Sequence, residues 1–428
     1  MRDVVIVDGL RTPFIKAGTL FNDLPAQELG RLVLSELVTR TGIDPELIDE
    51  VIFGNIAQPP EAANIARVIA LMAKLPMKTP AFSVGRNCAS GMEALALAAL
   101  KIKAGEEDII LAGGAESMSN IPLLYPKSYA NVMGAAMKAR SAGQKLAAFS
   151  QLRAKHFKPI IGLQLGLTDP ICNLNMGETA EVLAKEYSIS REAQDELALL
   201  SHQRATQATD LGKLREEMLP VYPPPKYKMP VHEDNGIRKD QSKESLAKLK
   251  PFFDKMYGSI TAGNSSQITD GAACLLVMSA EKAKELGYEP LGYIRSYAVA
   301  GVDPKRMGIG PALAAPKALH NAGVQFSDIQ LIELNEAFAA QVIANEIAFK
   351  DNKVAKERLG LEKATGEINR EILNVNGGAI ALGHPVGSSG ARLVLTLLKE
   401  MQRRDLNLGL ATLCVGGGQG AAMVVERK

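Results

Sequence analysis

Ser90-Gly91-Met92-Glu93-Ala94-Leu95-Ala96-Leu97-Ala98-Ala99-Leu100-Lys101-Ile102-Lys103-Ala104-Gly105, followed by Asp108-Ile109-Ile110-Leu111-Ala112-Gly113-Gly114, decides the fold. From Met92 to Ala104 the residues are small or apolar nearly all round, which predicts a buried helix. Gly105 suits its C-cap, because glycine accepts the left-handed turn that closes a helix. Asp108 to Ala112 is a short apolar run entering glycines, as a buried strand does. The same order returns near the C-terminus. Ser389-Gly390 opens a helix from Ala391 to Met401, and Leu408 to Leu413 is a strand that runs into Gly416-Gly417-Gly418. This is a weak internal repeat, and two similarly folded α/β halves are its simplest account.

The flanking sequence fits that scheme. Val4 to Val7 reads as a strand, Gln27 to Thr41 as a helix ended by Gly42, Val51-Ile52-Phe53 as a strand and Asn64 to Met72 as a helix. In the second half, Leu331-Ile332-Glu333 is a strand followed by a helix from Ala337 to about Phe349. Pro122 to Lys250 is irregular, helical in places, with a loop at Pro220 to Pro230, and reads as an insertion. Gly258 to Met278 returns to strand and helix character and rejoins the first half. Lys350 to Arg370 looks like a solvated excursion. The expected division is 1–120 plus 258–282 for the first half, 121–257 for a loop domain contacting substrate and partners, and 283–428 for the second half.

At 428 residues the chain exceeds one ordinary core. Its 46% hydrophobic and 22% charged residues are those of a globular protein in water. A net charge of +2 provides no global field for nucleic acid, so none is expected as a partner. The four cysteines, Cys88, Cys172, Cys274 and Cys414, are widely spaced. They form neither a metal-ligand cluster nor a disulfide framework, so no metal is expected and a reducing compartment is. No apolar run is long enough to span a bilayer. No charged leader with an apolar core precedes the first strand, and the expected location is the bacterial cytoplasm, or the mitochondrial matrix after removal of a transit peptide.

Four places carry chemistry. Cys88, in Asn87-Cys88-Ala89-Ser90-Gly91, stands directly before the first buried helix, where unpaired N–H groups favour a thiolate. A random cysteine is more often inert packing, but small residues around this one let a ligand approach the backbone. His384 lies in the glycine-rich loop Asn376-Gly377-Gly378-Ala379-Ile380-Ala381-Leu382-Gly383-His384-Pro385-Val386-Gly387. A neutral imidazole there can accept a thiol proton. The alternative is a glycine turn with an incidental histidine, while a phosphate loop lacks its Gly-Lys-Ser/Thr end. Cys414 ends a buried strand beside Gly416, where an α/β fold places active groups and backbone N–H groups can face an oxyanion. By itself it reads equally as packing. Asn335-Glu336-Ala337-Phe338 follows a strand, either capping a helix or orienting a water.

In this order and at these separations, the four motifs closely resemble those of thiolases. Asp8-Gly9-Leu10-Arg11-Thr12-Pro13-Phe14 and Thr261-Ala262-Gly263-Asn264-Ser265-Ser266 are similar to thiolase segments as well, so the resemblance covers nearly the whole chain. It implies two βαβαβαββ halves in an α/β/α/β/α layering with an inserted loop domain. It implies an acyltransferase with coenzyme A as substrate and no permanently bound cofactor. Cys88 matches the nucleophile that carries the acyl group, His384 its activator, and Cys414 the acid/base at the substrate α-carbon. Asn335 matches the residue that, with the histidine, holds a water in one oxyanion hole; the backbone N–H groups of Cys88 and Gly416 match the other. Met176 and Ser266 match positions along the pantetheine channel, and Arg238 a residue near the adenine end. Asn175 stands where many short-chain thiolases carry a histidine.

Within the family, the long loop segment and the Lys350 to Arg370 excursion are most similar to the thiolase subunit of the fatty-acid oxidation trifunctional complex. That implies 3-ketoacyl-CoA cleavage in β-oxidation, a homodimer or dimer of dimers, and a hydratase/dehydrogenase alpha subunit as partner. An acetoacetyl-CoA-forming acetyltransferase and a non-catalytic lipid carrier are the alternatives. A ketosynthase of the same fold would carry a histidine or asparagine in place of Cys414. From Ser117 to Thr168 there is no Asp or Glu, while Lys127, Lys138, Arg140, Lys145, Arg153, Lys155 and Lys158 are basic, with Leu146, Phe149, Leu152 and Phe157 among them. This reads as a solvated face, as a partner or peripheral membrane surface, or as an attractor of CoA phosphates.

Overall fold

The computed structural model describes residues 2–427. The first half runs β1 (Val4–Arg11), a short β2 (Ile15–Lys16), helix Ala26–Thr41, β3 (Glu50–Gly54), helix Ile65–Met72, β4 (Ala81–Val84), helix Ser90–Ala104 and β5 (Ile109–Glu116). A long excursion follows, which holds the small hairpin of β6 (Leu123–Leu124) and β7 (Ile160–Ile161), before β8 (Thr269–Ser279) completes the half. The second half repeats the order with β9 (Gly292–Gly301), helix Gly310–Ala322, β10 (Leu331–Leu334), helix Ala339–Lys350, helix Val386–Arg404, β11 (Leu408–Val415) and β12 (Gln419–Glu426). The strand order is β10-β11-β12-β9-β1-β8-β5-β3-β4, and the halves meet at β1–β9 through only Val5↔Tyr293 and Ile6↔Gly292.

Strand periodicity shows the layers, because successive side chains point to opposite faces. On β8, Ala272, Cys274, Leu276 and Met278 pack with helices Ala26–Thr41 and Ile65–Met72, while Ala273, Leu275 and Val277 face the other way. On β11, Leu410 and Cys414 join the cluster with helices Gly310–Ala322 and Ala339–Lys350, while Ala411, Leu413 and Val415 face inward. The inward sets of both sheets belong to one cluster, together with helices Ser90–Ala104 and Val386–Arg404. These two central helices are therefore the middle layer of five, α/β/α/β/α. Both sheets are covered on both faces, which explains their unbroken apolar runs.

The N-terminal turns of the central helices cross on glycine. A Cβ on Gly91 would lie 2.8 Å from the backbone nitrogen of Ala391, and one on Gly390 2.6 Å from that of Met92. This close approach corrects one expectation. The second central helix begins at Val386 rather than Ala391, because Gly387 to Gly390 are helical residues chosen for contact, not a turn. It is buried at every position from Gly387 to Leu398, whereas the first is not buried all round: Leu100 is 64% exposed.

Other departures have local causes. Gly258 to Ile268 carries no helix; the Glu181 carboxylate accepts the Ser259 and Ile260 N–H groups, and Asn264 accepts that of Thr261, so side chains satisfy this backbone. The 350–370 excursion contains a helix, Asn352–Leu359, started by Asp351. The third strand expected in the second half is reduced to one parallel bridge, Ile332↔Leu373. There the Asn374 amide accepts from Leu334 N and donates to Leu334 O, both at 2.8 Å, as a strand residue would.

Candidate active site

Cys88 lies in the 3₁₀ turn Asn87–Ala89 between the end of β4 and the first central helix. Asn87 has φ +42°, a left-handed value that asparagine tolerates better than most residues. Its amide donates to Gly416 O at 2.7 Å and so draws the loop after β11 onto the Cys88 turn. Arg86, paired with Glu93, donates to Gln419 Oε1 at 2.9 Å and adds a second tie. The result brings Gly416 and Cys88 together: the backbone N–H groups of both face the Cys88 sulfur. These are the two N–H groups expected to form an oxyanion hole.

Cys414, one residue from the end of β11, is fully buried and close enough to Cys88 to feel its charge. Asn335 follows β10 directly, and its N–H donates to Thr412 O on the parallel neighbour β11, so it sits beside the Cys414 end of the sheet. Neither atom of its buried side-chain amide has a partner among the described residues. Glu336 anchors this junction by accepting from Ser201 Oγ at 2.6 Å, Asn374 Nδ2 at 2.9 Å and Ile380 N at 3.2 Å. His384 precedes the second central helix. Its Nδ1 meets Ser389 Oγ at 2.6 Å, and its buried Nε2 has no partner among the described residues. Its N–H donates to Gln267 O, and the neighbouring Ser266 N donates to Ala337 O, so the Ser266, Asn335 and His384 loops converge. The Asn335 amide and His384 Nε2 therefore keep hydrogen-bonding capacity that the described residues do not use.

A cavity of about 310 Å³ opens onto Cys88. Its wall includes Met176 and Gly416 near the sulfur, Glu116 and Val386, and an apolar stretch of Met118, Ile121, Leu163 and Leu167 supplied by the excursion. Ser266 and Arg238 are not in this wall. Arg238 lines a separate hollow of about 370 Å³ with Gln203, Thr206 and Gln207, and its N–H donates to His202 Nδ1. Asn175 does not enter the cavity wall either; it caps helix Met176–Glu186 in a capping box with Glu178.

The electrostatics correct the expectation of a resting thiolate. Burial pushes the Cys88 thiol above its ordinary value, and the Gly416 and Cys88 N–H groups only partly offset this. A helix terminus is worth about 0.3–1 kcal/mol, less than one pKa unit at ~1.4 kcal/mol, so burial, the larger cause, sets the direction even though Cys88 borders the cavity and is only partly covered. Burial also pushes the Cys414 thiol up, with Cys88 adding to it. His384 moves the other way, down to about 4, through burial and the nearby Arg392 cation. At neutral pH the site therefore holds two neutral thiols and a neutral imidazole able to accept a proton.

Sequence reading passed over Glu116 and Ser389. Glu116 had a usable signal, an acidic residue at the end of the apolar run Ile109 to Ala115. Ser389 had none beyond its repeat partner Ser90.

Similarity to known proteins extends over the whole chain. Residues 4–281 match the family model described as thiolase, N-terminal domain, and residues 288–427 match thiolase, C-terminal domain. A 3-ketoacyl-CoA thiolase of Yersinia pestis (strain Pestoides F) is 47% identical over 424 residues, covering 99% of this chain and 96% of that protein. A solved acetyl-CoA acetyltransferase of Bacillus anthracis superposes with a TM-score of 0.87 at 39% identity, covering 100% of this chain and 99% of that one. Human mitochondrial 3-ketoacyl-CoA thiolase superposes with a TM-score of 0.86 at 34% identity, again over 100% and 99%. A structure of the human protein in complex with CoA gives 0.85, at 34% identity over 100% and 98%.

Proposed function

The chain belongs to the thiolase family, and on that premise we propose that it is a 3-ketoacyl-CoA thiolase that cleaves its substrate through an acyl group held on Cys88, in fatty-acid β-oxidation. The observation that carries the reading is the cavity at Cys88, polar at the sulfur and apolar along Ile121, Leu163 and Leu167. Such a cavity suits a thioester head with a hydrocarbon tail.

In this mechanism the neutral His384 imidazole takes the Cys88 proton as the thiolate attacks the 3-keto carbon. The oxyanion that forms is held at one of the two holes. The bond between C2 and C3 then breaks, its electrons leave as the enolate of acetyl-CoA, and Cys414 protonates C2. The resulting Cys414 thiolate deprotonates an incoming CoA, whose sulfur attacks the Cys88 thioester. The shortened acyl-CoA leaves as the expelled Cys88 thiolate takes back its proton from His384, and both thiols are restored. The N–H groups of Cys88 and Gly416 bind the thioester oxyanion, and Asn335 with His384 holds a water for the other. Met176 borders the pantetheine beside Gly416, while Ser266 and Arg238 belong further out along the CoA path.

A thiolysis assay over short, medium and long 3-ketoacyl-CoA substrates tests the reading. Turnover is expected to persist beyond the acetoacetyl compound because of the apolar wall. Activity confined to acetoacetyl-CoA would make the chain an acetyl-CoA acetyltransferase, as its likeness to the Bacillus anthracis enzyme favours. No thiolysis of any member, with no label retained on Cys88, would leave a lipid carrier.

The same reading includes a homodimer or dimer of dimers and a location in a reducing compartment, bacterial cytoplasm or mitochondrial matrix. The four cysteines are free thiols, which suits the latter. It also includes a contact face at the excursion. No helix among the described residues is long and apolar enough to cross a membrane. All seven basic residues of the acid-free segment are exposed, and none is ion-paired among the described residues. Beside them stand Leu123, Met137, Leu146 and Phe157, each more than half exposed. Cations mixed with bare apolar side chains favour an anionic lipid surface, with the hydratase/dehydrogenase subunit as the other occupant. Changing Lys138, Arg140 and Lys145 to Gln is expected to weaken liposome binding and its salt dependence, at roughly 1 kcal/mol per cation, without changing turnover on soluble substrate. A raised KM for CoA with unchanged liposome binding would assign these cations to CoA phosphates instead. Lost binding of the partner subunit alone would assign them to it.

A further inference from the structure

The side chain of Glu116 joins the two halves at the site. It ends β5 in the first half and is 1% exposed. Its Oε1 accepts from Ala57 N and from Asn55 Nδ2, both at 2.9 Å. Its Oε2 accepts from Ile56 N at 3.2 Å and from Gly387 N at 2.8 Å. Ala57 and Ile56 belong to the loop after β3, whereas Gly387 is in the first turn of the second central helix. Among the described residues no lysine or arginine pairs with this carboxylate; four donors hold it instead. The contact is close enough that a Cβ on Gly387 would lie 2.8 Å from Oε2.

Gly387 lies between His384 and Ser389, whose side chains bond each other. A carboxylate that fixes the Gly387 N–H thus fixes the turn on which the imidazole is held. Glu116 and Cys88 also border the same cavity, so the residue that seats the histidine's helix is set on the nucleophile's side.

We propose that Glu116 is a positioning residue for the acyl transfer: by binding the Gly387 N–H it sets the His384–Ser389 turn against Cys88. The proposal rests on the roles given above to Cys88 and His384. Two further titratable groups face the carboxylate, Cys88 and Asp270. Burial raises Glu116 to about 7, against the pull of its N–H donors, so it is largely ionised in mildly alkaline solution, where its charge holds the Cys88 thiol up.

Two variants separate position from charge. Glu116→Asp keeps the charge but is one methylene too short to span both sides. Glu116→Gln keeps the length, removes the charge and places an NH₂ against one pair of donors. Both are expected to lose roughly 10²-fold in kcat, the scale of a 1 Å misplacement, with KM for the acyl-CoA changed by less than about threefold. The pH profile for alkylation of Cys88 by iodoacetamide should move to lower pH in Glu116→Gln and stay in place in Glu116→Asp. Turnover would then fall in both variants while the thiol becomes easier to alkylate only in Glu116→Gln; general loosening, which relieves the burial that holds the thiol up, would move the profile in both. The idea is overturned if kcat stays within about twofold of the parent in either folded variant. It is equally overturned if kcat and thermal stability fall and KM rises together, with no shift in the alkylation profile of Glu116→Gln. Should Glu116→Gln fail to fold, the kcat and KM of Glu116→Asp decide. Acylation of the parent enzyme is measured alongside: if the parent puts no acyl group on Cys88, the underlying reading fails, whereas a parent that acylates beside equally active variants defeats only the role of Glu116.

Discussion

Cys88→Ser is expected to lower thiolysis by roughly four to six orders of magnitude, the loss seen when a nucleophile is removed from a group of residues acting as a unit. A serine hydroxyl beside a neutral imidazole is far less ionised than a thiol, and this site does little to compensate. Burial already holds even the more acidic thiol up, and His384, pushed down to about 4, is a weak base. An alcohol therefore starts several pKa units further from its reactive form. Intact mass after incubation with substrate should show one acyl adduct in the parent and none in the variant. An adduct that survives in Cys88→Ser, carried elsewhere in the chain, would refute the assignment of the nucleophile.

Cys414→Ala should divide the reaction in two. Acylation of Cys88 by an activated acyl thioester needs His384 and the oxyanion hole, and is expected to survive. Proton transfer at the α-carbon needs the second thiol, and its loss should slow thiolysis by about 10²–10⁴-fold, the usual range for a general acid or base. Deuterium exchange into the methyl group of acetyl-CoA isolates that step. Exchange at the parental rate would make Cys414 a packing residue, as its full burial by itself allows.

Periodicity and punctuation exposed most of the fold. Gly42 and Gly105 end their helices in the left-handed conformation, and the runs at Val4, Val51, Ile109 and Leu408 are strands. What the sequence hid was contact between distant segments. Gly387 reads as part of the glycine-rich loop because glycine usually breaks helices; the need for glycine arises from distant segments, Glu116 at 2.8 Å from a Cβ on Gly387 and the first central helix at 2.6 Å from one on Gly390. The missing strand at Leu373 was hidden for a similar reason, since Asn374 completes the hydrogen bonding of β10 with its side chain. Of the proposed site, residue type and setting mark Cys88, His384, Cys414 and Asn335 as candidates beside packing or capping alternatives, and only the resemblance of the four motifs together gives them roles. Neither gives their ionisation. The start of a helix suggested a thiolate, but depth of burial, which no local motif encodes, dominates. Glu116 is marked by its place at the end of an apolar run, but the partner that gives it importance lies far along the chain.

The crossing of the central helices also bears on how such a chain could arise and diverge. Ser90 stands as far before Ile109 as Ser389 stands before Leu408, and on that alignment the counterpart of Cys88 is Gly387. A doubled ancestor would have offered two equivalent places for a nucleophile. Here one place holds a thiol, and the other has only a backbone N–H, bound by a carboxylate from the opposite half. The first half contributes Cys88 and Glu116; the second contributes Asn335, His384 and Cys414. On the roles proposed above neither copy retains a complete set, so losing either one would leave the other without the partners its residues need.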